Sequence, residues 1–284
     1  MKKLLTLILS AVLCIASVFG LAACSNKDSA QYNDTKTKSI TVGITNAAPM
    51  NYQKDGKWVG FDTELTVTVF NALGYKVMFK EIAWGNKYIE LESGTIDCIW
   101  NGFTANCTDK DTSGNEKQRA EIVNMSMNYM LNEQCVVKNK NVTYADESSF
   151  NGKTVAYEIG SSGDTGLGYL VDDFELNINK KGMTSQVNAL MEVNSGTADF
   201  AVVDKSIAES LAATYTNTEI VTSLDYFELE YYAIGFKKTT DGAALRDKVN
   251  VLLQAFYDIG YLEELCTKYN IDFTNRVAPC FAIA

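Results

Sequence analysis

The apolar positions of this chain fall into short runs and helix-spaced stripes that alternate in order. Residues 39–44 (Ser-Ile-Thr-Val-Gly-Ile) read as a strand, 61–73 carry a helical stripe that stops at Gly74, and 76–82 alternate as a strand again. A helix from about 84 to 91 and a buried strand over 97–100 complete a β-α-β-α-β series, for which a parallel sheet with right-handed crossovers is expected. The same order restarts at Lys153: strand 155–158, turn and helix 162–172, strand 175–179, helix 184–193, strand 198–203, then a further helix over 206–214. Residues 105–118 are polar throughout and read as an exposed loop. Extended segments near 131–138 and 227–237 join the halves, and amphipathic helices over 243–257 and 261–269 follow. Two strands passing between two lobes make a natural hinge.

One phrase occurs twice. Ser93-Gly94-Thr95-Ile96-Asp97 precedes the apolar run Cys98-Ile99-Trp100, and Ser195-Gly196-Thr197-Ala198-Asp199 precedes Phe200-Ala201-Val202-Val203. Helix, glycine stop, acid and buried strand make the back half of an α/β unit, so the echo points to two similar lobes. The plainer reading is that Ser-Gly-Thr is a common helix stop. Ligands of open α/β sheets sit beyond the carboxyl ends of strands. That directs attention to Asn101-Gly102-Phe103-Thr104 and to Asp204, which follow the two strands.

The first residues change the picture of what folds. Lys2 and Lys3 head an uncharged greasy run over 4–20, and Leu21-Ala22-Ala23-Cys24 follows, a secretory signal whose end resembles a bacterial lipobox. That resemblance implies cleavage before Cys24 and a lipid on its sulfur; two acyl chains are what stable anchoring needs. The alternative is an uncleaved membrane anchor, since the uncharged stretch is long enough to span. Residues 1–23 are therefore set aside as a leader and 24–38 as a polar tether. Of the 284 residues, 46% are apolar and 21% charged, which suits a folded core and excludes a disordered chain. The formal charge is −10 with no basic block, which argues against nucleic acid. Seven cysteines include no C-x-x-C pair, so neither a zinc nor a thioredoxin-type site is expected. Cys98 reads as a small core residue, and a pairing of Cys266 with Cys280 across a terminal loop stays open.

The chain contains no histidine, which removes the commonest general base and metal ligand and every Ser-His or Cys-His arrangement. Gly160-Ser161-Ser162-Gly163 lacks the spacing of a nucleophile elbow, and residues 163–168 lack the phosphate-loop lysine. What this stretch offers is backbone N–H groups at a helix start, which suit a small anion such as a carboxylate. Across from it, Thr104 brings a hydroxyl, Gly102 an accessible N–H and Arg119 a planar fork, the donor set a carboxylate wants. Asp204, a lone acid at the end of an apolar run, suits an ammonium group. An arginine and an aspartate facing each other across a cleft would read a zwitterion, that is, a free amino acid. The competing readings are a solvated surface charge for Arg119 and a helix N-cap for Asp204.

As a set, the motifs resemble the extracellular amino-acid-binding proteins of polar amino acid ABC transporters, solute-binding family 3, over about residues 39–270. Gly60-Phe61-Asp62-Thr63-Glu64-Leu65 looks like the family's G-F-D-x-[DE]-L, and Asn101-Gly102-Phe103-Thr104 stands for S-G-M-T. The run from Arg119 to Tyr129, the opening Gly152-Lys153-Thr154-Val155 with Gly160-Ser161-Ser162, and Ala201-Val202-Val203-Asp204 are similar to their family counterparts. The resemblance implies an α/β, two-lobe periplasmic-binding-protein (Venus-flytrap) fold of type II with two crossover hinge strands. Lobe one would span 39–132 plus 233–284, and lobe two, with the hinge strands, 133–232. It implies that Arg119 and Thr104 hold an α-carboxylate with help near Gly102, Asn101, Ser161 and Ser162, that Asp204 holds the α-ammonium, and that Trp84 lies against the ligand side chain. Trp84 reads equally as core packing.

Three departures stand out. Ala47 and Ala48 occupy the place of a usual aromatic wall, which leaves that side to Tyr52 or open. The spacing from Thr104 to Arg119 is longer than usual. Glu158 falls where side chains often face the ligand; there it favours a cationic or amide-bearing group, and otherwise it is an exposed or capping acid. The implied activity is capture without chemistry, with no cofactor and no metal, by a monomer that delivers its ligand to an ABC permease on the outer face of the cytoplasmic membrane. The rivals are a periplasmic-type dehydratase on the same fold, for which Glu158 is the one visible proton-transfer group, and an amino-acid sensor. The absence of a spanning segment toward Ala284 argues against the sensor.

Overall fold

Alternating strand and helix periods become two β-α-β-α-β units in the computed structural model, which describes residues 38–281 except 223 and 225. The leader, Cys24 and all but the last residue of the tether lie outside the described residues. The first unit comprises β1 (Lys38–Ile44), a hairpin of β2 (Tyr52–Lys54) and β3 (Lys57–Val59), α1 (Phe61–Ala72), β4 (Tyr75–Glu81), a 3-10 turn at Trp84–Asn86, α2 (Lys87–Ser93) and β5 (Cys98–Thr104). Then come β6 (Thr108–Lys110), β7 (Glu116–Gln118), α3 (Arg119–Ile122), β8 (Asn124–Met125) and the long β9 (Met130–Asn139). The second unit is β10 (Thr154–Glu158), α4 (Ser162–Asp173), β11 (Asn179–Met183), α5 (Gln186–Ser195), β12 (Phe200–Asp204) and α6 (Lys205–Leu211). After β13 (Thr218–Ile220), β14 (Leu229–Phe236) leads to α7 (Thr240–Asp258), α8 (Tyr261–Tyr269) and a terminal turn, α9 (Ala278–Phe281).

The sheet runs β11-β10-β12-β9-β14-β5-β1-β4. Each end is a parallel trio with its first strand in the middle: β4-β1-β5 on one side and β11-β10-β12 on the other. Between them β9 and β14 pair antiparallel, each also pairing with one trio, so the two lobes share two crossing strands. Because side chains alternate across a strand, an unbroken apolar run can feed two cores. In β5, Cys98 and Trp100 join the cluster under α1 and α7, while Ile99 and Phe103 join the one under α2. In β12, Phe200 and Val202 go one way and Ala201 and Val203 the other.

The twice-written phrase has one structural job done twice. Gly94 and Gly196 take left-handed φ of 79° and 80°, closing α2 and α5, a conformation that glycine adopts without strain. Each following aspartate then clasps the first strand of its own lobe. Asp97 N–H donates to Thr41 O (2.7 Å) and Asp97 Oδ2 accepts from Thr41 N–H (2.7 Å); Asp199 and Thr154 repeat this at 2.9 Å both ways. Replacing either aspartate with alanine strips a strand N–H of its acceptor. Asp97→Ala and Asp199→Ala are each expected to lower unfolding free energy by roughly 1 kcal/mol. The double variant should lose about the sum, since the sites lie in separate lobes. Urea denaturation of the three variants reads this out; a double variant no weaker than wild type would refute the clasp.

Two expectations need correction, and one open alternative falls away. Residues 105–118 are not a plain loop: β6 and β7 pair through Asp109↔Lys117, and this hairpin carries Asp109 into the site described below. The strand expected at 175–179 begins at Asn179 instead. Glu175 sits at φ 48° beyond α4, and Leu176 and Ile178 pack into the lobe-two core before β-pairing starts. Cys266 and Cys280 are both free thiols, as are Cys98, Cys107 and Cys135.

Candidate functional site

The carboxyl ends of β5, β10 and β12 converge on one narrow cavity between the lobes, with ≈ 10 Å³ open to the centre of a water-sized sphere. Lobe one lines it with Trp84, Asn101, Gly102, Thr104 and Arg119. Lobe two lines it with Glu158, Ser161, Ser162, Gln186 and Asp204. The sheet supplies this convergence because parallel strands on either side of β9 and β14 end facing each other, the position at which open α/β sheets bind ligands.

Arg119 opens α3 and is 1% exposed, so it is not a solvated surface charge. Its Nη1 donates to Thr104 O (3.1 Å) and its Nη2 to Gly160 O (3.3 Å) across the cleft, while Nε is buried without a partner. Thr104 Oγ shares a hydrogen bond with Ser162 Oγ (3.2 Å) and donates to Glu230 Oε2 (3.1 Å). Ser162 is the first residue of α4, whose first-turn N–H groups have no intrahelical acceptors. Ser161 caps that helix, its Oγ accepting from Asp164 N–H (3.1 Å) and donating to Glu158 O (2.8 Å).

Asp204 precedes α6 but its side chain makes no capping bond. It lies instead on a bed of donors from both crossing strands. Oδ1 accepts from Asn132 Nδ2 (3.1 Å) and from Gln134 Nε2, and Oδ2 accepts from Gln186 Nε2 (3.0 Å) and Tyr232 OH (2.8 Å). Glu230 is close by, taking Asn132 Nδ2 (2.8 Å) and Gln134 Nε2 (3.0 Å) on its own Oε2. Burial and the neighbouring Glu230 charge push the Asp204 carboxyl up to about 6, against the pull of Tyr232, Gln134 and Gln186. An ammonium group placed there would meet two carboxylates and relieve their repulsion.

A second cation stands behind the arginine. Lys87, 1% exposed, pairs with Asp109 Oδ2 at 2.8 Å and donates to Gly160 O at 2.9 Å, and Asp109 Oδ2 also lies 3.3 Å from Arg119 Nη2. Burial and the Arg119 charge bring Lys87 down to about 8 despite Asp109. Burial opposes ionisation of Asp109, but Lys87 and Arg119 outweigh it and hold the carboxyl below its ordinary range. Lys87, Arg119 and Thr104 thus tie one lobe's groups to the other's around the cavity.

Trp84 is both wall and core: it lines the cavity and stands edge-on to Phe103 at 6.0 Å. Glu158 is 3% exposed, neither a surface nor a capping acid. One expected residue falls elsewhere, and another lines the cavity with its N–H turned away. Gly102 N–H donates to Asp62 Oδ2 (3.1 Å) and is committed inside lobe one, because Gly102 sits at φ 60° with the Tyr232 ring where a Cβ would go. Ala47 is buried with Ile207 and Ala208 and does not line the cavity; its N–H bonds Asn51 O (2.6 Å), which folds the segment back from the site. Tyr52 lines a neighbouring surface pocket with Ala48 and Glu81. Asn101 lines the cavity with its amide held between Asn51 and Thr45. The partners unforeseen from sequence are Asn132, Gln134, Glu230 and Tyr232 on the crossing strands, Gln186, Lys87 and Asp109. The one legible trace of them is the spacing of two within Asn132-Glu133-Gln134 and Glu230-Tyr231-Tyr232 in segments already read as strands.

Residues 40–272 match the profile of the bacterial extracellular solute-binding proteins, family 3. The probable amino-acid-binding protein YxeM of Bacillus subtilis (strain 168) is 30% identical over 279 residues, covering 96% of this chain and 97% of that protein. The L-cystine-binding protein TcyA of the same organism is 26% identical over 287 residues, covering 95% and 97%. Among solved structures, an ABC uptake transporter substrate binding protein from Streptococcus pneumoniae with bound histidine superposes with a TM-score of 0.70 at 30% identity, over 84% of this chain and 94% of that one. The two lobes, the two crossing strands and the cleft between them are therefore those of the Venus-flytrap fold, and the chain belongs to the bacterial extracellular solute-binding proteins, family 3.

Proposed function

We propose that this protein captures a free polar amino acid between its lobes and delivers it to the membrane subunits of an ABC importer. The observation that carries the reading is the convergence of Arg119 and Asp204, one from each lobe, on a single buried cavity. Arg119 with Thr104 and Ser162 would take the α-carboxylate, Asp204 with Glu230 the α-ammonium, and Trp84 the side chain. Relatives that bind cystine and histidine support an amino-acid ligand. Half of the contacts lie on each lobe, so the ligand favours the shape in which both are made, and that difference in affinity drives closure. Micromolar affinity corresponds to about 8 kcal/mol, within reach of two charge-assisted contact sets and one aromatic wall.

On this reading residues 1–23 are a signal, Cys24 carries the lipid, and the protein works as a monomer on the outer face of the cytoplasmic membrane. The lobes divide at 39–132 plus 233–284 and at 133–232. The reading is a binding one, not an enzymatic one. A dehydratase needs a proton-transfer group at the ligand; the two carboxyls of the cavity lining are Asp204 and Glu158, and this reading gives both to ligand contacts.

A thermal-shift panel of the twenty amino acids and cystine tests the proposal. At least one is expected to raise the melting temperature by several degrees, and the bound compound to be recovered unchanged. A flat panel overturns capture, and turnover of the bound compound overturns the non-enzymatic reading.

A further inference from the structure

Resting on that amino-acid reading, we propose that Glu158 selects the side chain of the ligand and that this ligand is an amino acid with a positively charged side chain. Glu158 ends β10 on the cavity, with Trp84 across the cleft and Gln186 on its own lobe. It is 97% removed from solvent by its 3% exposure, and its Oε1 has no hydrogen-bond partner. A buried carboxylate oxygen without a donor costs stability of roughly 1–3 kcal/mol or more, so its retention at a cavity wall points to a donor brought from outside.

Charge accounting narrows that donor. Around the cavity stand two cations, Arg119 and Lys87, and four acids, Asp109, Asp204, Glu230 and Glu158. Lys87 and Asp109 neutralise each other at 2.8 Å. A zwitterion's carboxylate answers Arg119, and its single ammonium offsets one charge of the Asp204 and Glu230 pair, whose oxygens already accept from side-chain donors. Glu158 remains: among the described residues it enters no ion pair. A neutral side chain brings Glu158 no counter-charge, whereas a guanidinium or ammonium pairs with its ionised form and supplies the missing donor.

The titration of the group agrees with the geometry. Burial and the Asp204 charge push Glu158 up to about 8, against Lys87, Gln186 and Arg119, so the carboxyl is largely protonated at pH 7. A cationic side chain must therefore expel that proton as it binds. Affinity for such a ligand should rise about tenfold per pH unit from 6.5 toward 8, while a neutral analogue of the same shape shows no such rise.

Isothermal titration with two matched pairs, L-arginine against L-citrulline and L-lysine against L-norleucine, tests this. In at least one pair the cation is expected to bind tenfold to a hundredfold more tightly, with release of about one proton at pH 7 read from buffers of different ionisation enthalpy. Glu158→Gln should bring that ratio within threefold and abolish the proton release, with circular dichroism reporting that the variant is folded. Cation and neutral partner binding alike in wild type, or neutral amino acids alone binding, overturns the selectivity of Glu158 and leaves amino-acid capture standing. Binding of no amino acid overturns both.

Discussion

Asp204→Asn is expected to weaken amino-acid binding by roughly 100- to 1000-fold, the range that follows from removing one partner of a buried, hydrogen-bonded charge pair. All four side-chain groups that touch Asp204 are donors: Asn132 Nδ2, Gln134 Nε2, Gln186 Nε2 and Tyr232 OH. Only an acceptor on both oxygens satisfies that bed, and a carboxylate is such a group. Asparagine turns one oxygen into an NH2 that faces donors, so the substitution removes the charge and also disturbs the bed. The same donors keep the carboxyl poised near 6 rather than higher despite burial and Glu230. Binding of every amino acid should accordingly decline as pH falls below about 6, since protonated Asp204 cannot answer an ammonium. Titration calorimetry of wild type and variant at pH 7.5, with circular dichroism as a check of folding, measures the loss. Affinity within threefold of wild type in a folded Asp204→Asn would place the ammonium elsewhere and remove the basis of the site.

How far the sequence reaches here depends on which kind of signal each residue carries. Local periodicity was enough for the β4-β1-β5 trio, for β10 and β12 and for the crossing strands, because apolar runs such as Phe200–Val203 have few alternatives. The echoed Ser-Gly-Thr motif was legible as a helix stop, but its aspartates' clasp on Thr41 and Thr154 spans 56 and 45 positions and needs the folded sheet. Asp109 was hidden by its surroundings. A carboxylate in a polar stretch looks solvated until β6 and β7 carry it to Lys87 and Arg119. Leu176 and Ile178 misled in the opposite sense, because period-two apolar spacing describes a core-facing approach as well as a strand. The bed under Asp204 shows the same limit. Asn132, Gln134, Glu230 and Tyr232 alternate as polar residues do on an exposed strand, and only the register of β9 against β12 and β14 turns them inward. The direction of Gly102 N–H was likewise beyond local reading, since it is fixed by Asp62, forty positions earlier.

That aspartate supports the second large expectation: wild-type stability should fall by about 4 kcal/mol between pH 4 and pH 8 through Asp62 alone, and Asp62→Asn should abolish this component. Asp62 is fully buried in lobe one, with Oδ2 accepting from Tyr129 OH (2.9 Å) and Gly102 N–H (3.1 Å) and Oδ1 without a partner. Burial pushes its carboxyl from 3.8 up to about 7, more strongly than the Tyr129, Gly102 and Trp100 donors pull it down. The native state therefore holds a proton over the interval from 3.8 to about 7 in which the unfolded chain has released it. A state that binds more protons loses relative stability as pH rises, so the contribution is intact near pH 4 and gone above about 7. Glu158 and Asp204, also raised, add to the same trend, while Lys87, lowered to about 8, acts only above that pH and with opposite sign. The difference between wild type and Asp62→Asn isolates the single group. An asparagine oxygen can accept from Tyr129 and Gly102, and its NH2 takes the place of the protonated oxygen, so the two proteins should match at pH 5 within about 1 kcal/mol. At pH 8 the variant should be the more stable by a few kcal/mol, as read from urea midpoints at constant slope. Parallel stability curves from pH 5 to 8 would mean that Asp62 is ionised throughout and that the strand bearing Gly102 and Thr104 is held by a charge rather than by a shared proton.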